Sequence, residues 1–194
     1  MTGKRPRLLS RLLILALVAG LIYWWANALT NEDPLWFLRS FKAQADWIIV
    51  YWDGDVAMCF PGDSEYDAVM ETFADAIGHW SGHEGDADLP EEVLEGYRIQ
   101  GRLLEVHYNQ PVRVHTRHLY PPASTFFVPL AGTHASRRAV FAGLTDTPRV
   151  GGLVLSEARF EALNEAVEAA VRRHQLQGRT APLGRSNRPN RLWI

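Results

Sequence analysis

The sequence predicts an α+β fold: a single N-terminal transmembrane helix, then one domain with an antiparallel sheet of about six strands and two main packed helices. Three observations predict it. Residues 12–26 form an unbroken apolar run. Beyond them, short β-rich runs alternate with Gly, Pro, Asn and Asp punctuation. Two longer stretches, around Tyr66 and Phe160, carry apolar residues at helical spacing instead.

The apolar run comes first. From Leu12 to Leu29 a helix rises about 27 Å, just under a bilayer core of about 30 Å. Leu8 and Leu9 lengthen it if Arg11 snorkels toward the headgroups. Leu12, Leu13, Ile14, Leu15, Leu17, Val18, Leu21 and Ile22 supply the hydrocarbon-facing side chains, and Tyr23, Trp24 and Trp25 form an aromatic belt at the outer end. Lys4, Arg5, Arg7 and Arg11 precede the run; Asn31, Glu32 and Asp33 come after it. That asymmetry predicts a cytoplasmic N-terminus and an exported remainder. Ala26-Asn27-Ala28 also fits a signal-peptidase site. Three bulky aromatics just before it are poor context for cleavage, so a retained anchor is the preferred reading.

The expected organisation is a stub and anchor over residues 1–29, an extracytoplasmic α+β domain over 30–175, and a disordered basic tail over 176–194. A hydrophobic fraction of 47% with seven tryptophans suits a packed globule. A net charge of -2 gives no bulk attraction for nucleic acid, and none is expected as a partner. Cys59 is the single cysteine, which excludes an intrachain disulfide. Lys4 and Lys42 are the only lysines among many arginines, a coding bias that points to a GC-rich bacterial genome.

After the anchor, Asp33 is expected to cap a helix with Pro34 at its first position. Leu35, Leu38, Phe41 and Ala45 recur there at helical spacing, and the segment is read as docked on the domain in preference to the membrane surface. Asp53-Gly54 between two β-rich runs predicts a hairpin. Its first strand, residues 47–52, is apolar on both faces, which predicts that the hairpin is central to the fold and not an exposed edge. Asp63 or Ser64 then caps a helix whose stripe is Tyr66, Val69, Met70, Phe73, Ile77 and Trp80. Residues 79–88 read as a Gly- and acid-rich loop, and Pro90 opens a short helix through Tyr97.

Leu104, Val106 and Tyr108 alternate with Glu105 and His107, and Val112 and Val114 alternate with Arg113 and His115. A turn at Asn109-Gln110-Pro111 would pair these runs and set His107 opposite Arg113 and Glu105 opposite His115. Three further strands are expected at residues 126–130, 139–144 and 152–155. Ser156 caps a last helix with the stripe Phe160, Leu163, Val167 and Val171.

Few residues advertise chemistry. The polar hairpin face, with His107, Arg113, His115 and Arg117, is the preferred candidate for binding an anionic ligand. His79 and His83 are the candidate metal ligands, since imidazoles four apart share a helix face. Gly78, Gly82 and Gly85 weaken such a helix, so a solvated loop is favoured there. Cys59 sits in an apolar run and is expected to be structural. No nucleophile elbow, phosphate loop or dinucleotide fingerprint is present, so no catalytic residue and no cofactor is assigned. The functional expectation is a noncatalytic module, anchored in the bilayer, that binds a protein partner or anionic ligand at the bacterial envelope. The alternatives are a metal-dependent envelope hydrolase and a structural subunit of a membrane assembly.

Overall fold

The computed structural model describes residues 5–38, 40–85, 87–116, 120–144 and 150–180. Its first element, α1 (Arg5–Thr30), contains the 23-residue apolar stretch Leu8–Thr30, none of it buried against the protein. At ~1.5 Å per residue that stretch covers about 35 Å, long and apolar enough to cross a bilayer.

Among the described residues the order continues β1 (Trp47–Trp52), β2 (Asp55–Cys59), α2 (Ser64–Gly78), β3 (Gly82–Glu84), α3 (Glu91–Gln100), β4 (Arg102–Val112), β5 (Ala123–Pro129), α4 (Gly132–Ser136), β6 (Ala139–Gly143), β7 (Val150–Val154) and α5 (Glu157–Thr180). The strands form one seven-stranded antiparallel sheet in the order β2-β1-β4-β5-β6-β7-β3. The α+β class and the two main helices are as expected, and the sheet has seven strands where about six were expected. β3 lies inside the segment expected to be a loop, while the two runs expected as separate strands from Leu104 and from Val112 belong to one stretch that includes β4.

The two amphipathic helices pack side by side on one face of the sheet. Val69, Phe73 and Ile77 of α2 and Leu163, Val167 and Val171 of α5 meet Ile48, Val50, Leu104, Val106, Phe126 and Val140 in the main core. Asp63 precedes α2 without bonding a helix N–H; its Oδ2 instead accepts from the Phe60 amide at 2.8 Å. The opposite face carries a smaller cluster under α3, where Leu94 packs on Leu103, Phe127 and Phe141 with Tyr51 at its border.

The Asp53-Gly54 turn forms as expected. Asp53 and Gly54 have φ of 50° and 92°, and Trp52 pairs with Asp55 across a two-residue loop. The expected central position is wrong for half of the hairpin. β1 lies inside the sheet and is covered on both sides, but β2 is an edge strand with Val56 and Met58 exposed. Apolar content on both faces of β1 required cover for β1 alone, and its sister strand inherits none.

Two other expectations fail. No turn forms at residues 109–111: β4 runs straight through them, and the β4–β5 register shifts between His107 and Val112. Both edges of the preceding residues are already taken by β1 and β5, so the chain beyond residue 111 does not fold back on them; Val112 pairs with Ala123 of β5 instead. Pro111 is exposed within this irregular stretch, where a missing amide costs little. Nor does a helix form after Pro34. Residues 34–37 make a turn in which Asp33 Oδ1 accepts from the Leu35 amide at 2.9 Å. The apparent stripe divides between two environments: Leu35 and Leu38 are exposed, while Phe41 is buried edge-on to Phe73, Tyr108 and Phe126. At the other end, α5 continues to Thr180, beyond the expected start of the tail, and residues 181–194 lie outside the described residues.

Burial raises the Tyr120 hydroxyl well above the usual tyrosine range; at Tyr108 burial does the same, with Tyr66 and Asp46 adding to it. Each group folds in its neutral form with its pKa above the unfolded value. Their contribution to stability is therefore intact below the unfolded pKa of about 10 and is lost as pH rises beyond it. A melting series is expected to show a flat Tm up to about pH 9 and a steady fall above it. A Tm unchanged in stronger alkali would contradict this.

Candidate functional site

β4 lifts Glu105 and His107 onto the α3 face of the sheet, where both are buried; Glu105 is 2% exposed. Arg98, on α3, donates from Nε to Glu105 Oε1 at 2.7 Å and from Nη1 to Glu95 Oε1 at 2.7 Å. Burial opposes the Arg98 charge, but the bonds to Glu95 and Glu105 outweigh it and raise its pKa. The other Glu105 oxygen, Oε2, lies 3.0 Å from His107 Nε2. Across the ladder, Thr125 Oγ1 is 3.3 Å from His107 Nδ1. Trp47, the partner of His107 on β1, stacks on its ring at 5.1 Å and 10°.

Thr125, His107 and Glu105 stand in the hydroxyl–imidazole–carboxylate order that activates nucleophiles. Access decides what the order can do. Thr125 is 3% exposed, Trp47 covers the imidazole, and Glu105 is also held by Arg98. In this conformation a substrate has no path to Oγ1, and the cluster ties β4 to β5 and α3. Of this cluster the sequence points to His107, but not to Arg98, Thr125 or Trp47. The available signal was an acidic residue flanked along one face by Leu103 and His107 in a run otherwise rich in apolar residues.

Among the described residues of the expected basic face, His107 and His115 are held by different partners. His107 is committed to Glu105. His115 lies beyond β4, with Nδ1 2.9 Å from Oδ2 of the buried Asp33. Arg113 is half-buried, and Arg117 lies outside the described residues. The candidate metal pair is also separated. His79 ends α2, with Nδ1 3.0 Å from the Asp75 carbonyl oxygen, whereas His83 sits in β3, edge-on to Tyr120. Among the described residues no group of three or more His, Cys, Asp and Glu side chains is placed to hold a metal ion.

Cys59 is buried on β2, and burial, with Asp63 and Glu65 adding, pushes its thiol up to about 11. At neutral pH this leaves roughly a hundredfold less thiolate than an ordinary cysteine carries. Maleimide is expected to leave the folded chain unlabelled and to modify it promptly in urea. Rapid labelling without denaturant would show an open β2.

The outer edge of β2 is the exposed feature of the sheet. Val56 pairs with Tyr51 and Met58 with Ile49, so all four side chains share the α3 side of the sheet, and Val56 and Met58 are solvent-facing. Phe60, just past the strand, is also exposed. On the helix side of the hairpin a groove of about 250 Å³ is lined by Trp52, Ala57, Val171, Asp55 and Gln175, and Gln175 Nε2 donates to Asp55 Oδ2 at 2.8 Å. The hairpin tip is braced. Arg102 donates from Nε and Nη2 to the Asp53 carboxylate, and its guanidinium lies 4.3 Å from the Trp52 ring centroid. Those hydrogen bonds hold the Asp53 carboxyl below the usual carboxylate range.

No protein-family model, no curated protein and no solved structure matches the chain.

Proposed function

We propose that this is a single-pass membrane protein whose domain stands on the extracytoplasmic side of the bacterial envelope and binds a protein partner there without catalysis. The open β2 edge carries the reading. Proteins ordinarily blunt an open edge with lysine, proline or a bulge. Here the five-residue strand DVAMC has one charge, at its first position, and presents Val56 and Met58 outward beside unpaired backbone groups. That combination suits an extended segment of another protein, which adds main-chain hydrogen bonds and places alternate side chains against the apolar ones. The braced hairpin tip keeps the strand in shape before the partner arrives, which lowers the ordering cost of binding.

A protein is favoured over an anionic ligand because His107 and His115 already face Glu105 and Asp33. The extracytoplasmic side is supported by basic residues before the apolar run at 12–26 and acidic ones after it. The hydrolase alternative has less support, since His79 and His83 belong to different elements.

The test is a photo-crosslinking residue placed at Met58 in native membranes, with Glu161 on α5 as the reference position. A discrete adduct is expected at Met58, several-fold above the reference, and lost when Val56→Asp is added while the melting curve holds. Equal yields at both positions, or an adduct indifferent to Val56→Asp, would refute the reading. A reporter fused after Ile194 is expected to be active only outside the cytosol; activity inside would overturn the topology.

A further inference from the structure

The chain reverses sharply where α1 ends. The Asn31 amide donates to the Asn27 carbonyl at 3.0 Å, the Asp33 amide donates to that of Ala28 at 3.1 Å, and Glu32 between them has φ of 51°. Beyond Asp33 the chain does not rise away from the helix but folds back along it. Trp24 Nε1 donates to the Pro34 carbonyl oxygen at 3.0 Å, and Trp36 packs edge-on against Tyr23 at 6.1 Å. Tyr23 lies about 10 Å back down the axis from Thr30. The turn over residues 34–38 therefore sits beside the aromatic belt, below the top of the helix.

We infer that this turn is a second membrane contact, which seats Leu35, Phe37 and Leu38 in the lipid interface at the domain end of α1. The inference rests on α1 crossing a bilayer, but not on which side the domain occupies. About 20 residues fill the hydrocarbon thickness. Counted from Leu8, they end near Asn27, so Tyr23 and the turn beside it fall at the lipid boundary. Leu35, Phe37 and Leu38 are 42%, 52% and 41% exposed, three large apolar side chains within four residues. Pro34 and Trp36 of the same turn contact Trp24 and Tyr23, so these side chains adjoin the bare apolar surface of α1. That continuity selects lipid as the occupant.

The backbone suits this place. Lipid demands that amides and carbonyls be satisfied internally. The Pro34 carbonyl accepts from Trp24, the Leu38 amide donates to the Leu35 carbonyl at 2.8 Å, and the Leu35 amide donates to Asp33. Asp33 bonds Leu35 with one oxygen and meets His115 with the other. One buried carboxylate thus couples the immersed turn to the chain leaving β4, and the domain is held at a fixed attitude over the bilayer.

The test uses the full chain in vesicles of phosphatidylcholine with a minor fraction of phosphatidylglycerol. A polarity-sensitive fluorophore is attached at Phe37→Cys, Leu38→Cys, Val18→Cys and Val56→Cys in separate samples, and the unsubstituted chain controls for Cys59. Val56 serves as the reference away from the membrane, because it adjoins the hairpin tip at the Arg102 end of β4. A phospholipid bearing a nitroxide high on its acyl chain is the quencher. Phe37 and Leu38 are expected to be quenched several-fold more than Val56, with blue-shifted emission. If Val18 is quenched and both turn positions match Val56, the turn is in water and this inference fails while the anchor stands. If Val18 also matches Val56, the bilayer reading fails and takes the inference with it.

Discussion

Arg98→Met is expected to destabilise the domain by roughly 3–5 kcal/mol, the usual cost of stranding one partner of a buried ion pair. Methionine keeps most of the apolar stem under α3 and removes the charge. Glu105, almost fully buried, then retains its contact with His107 but loses the cation that offsets its desolvation. The prediction has an internal control. Glu105→Gln in the Arg98→Met background removes the stranded charge and is expected to recover more than half of the loss, giving a large coupling energy in a double-mutant cycle. Urea unfolding of the full chain in detergent reads both. A loss below about 1 kcal/mol for Arg98→Met would place the pair among ordinary surface ion pairs and empty the cluster of its structural role.

Phe126→Ala is expected to cost about 3–5 kcal/mol through lost burial and the cavity it leaves. Phe126 is fully buried on β5, with ring centroids of Phe41, Phe73 and Tyr108 at 5.9, 5.8 and 5.9 Å. It joins three parts of the chain that share no backbone ladder: the irregular segment before β1, α2, and the sheet. Phe60→Ala is the contrast, within about 0.5 kcal/mol, because an exposed ring leaves no cavity. Equal losses at the two positions would mean that Phe60 is covered and β2 is not an open edge.

The elements legible from sequence were those whose own residues decide them. The α2 and α5 stripes bury the residues expected of them except Trp80 and Phe160, which are partly buried against the same core, because a stripe with one apolar side has one way to pack. Asp53-Gly54 made its turn because both residues tolerate positive φ. The failures share a different cause: in each, a residue's environment was set by another element that its own local pattern does not reveal. Asn109-Gln110-Pro111 would have turned had β1 and β5 left an edge free. Leu35 and Phe41 share a spacing but serve different neighbours. Glu105 and His107 alternate like solvent-facing residues and are sealed only because α3 and Trp47 arrive from elsewhere. The candidate binding edge was invisible for the same reason, since no local pattern tells an outermost strand from its inner neighbour.

The placement of α2 has a consequence for how the molecule is made. It leaves one margin of the sheet at β2 and delivers the chain to β3 at the opposite margin, on the far side of β7. Four strands must later slot into the gap between them, and the last is synthesised just before α5. A nascent chain halted after α3 therefore holds two banks with no bridge between them. Its greasy strands wait for late-arriving neighbours, a situation in which holdase chaperones have something to grip.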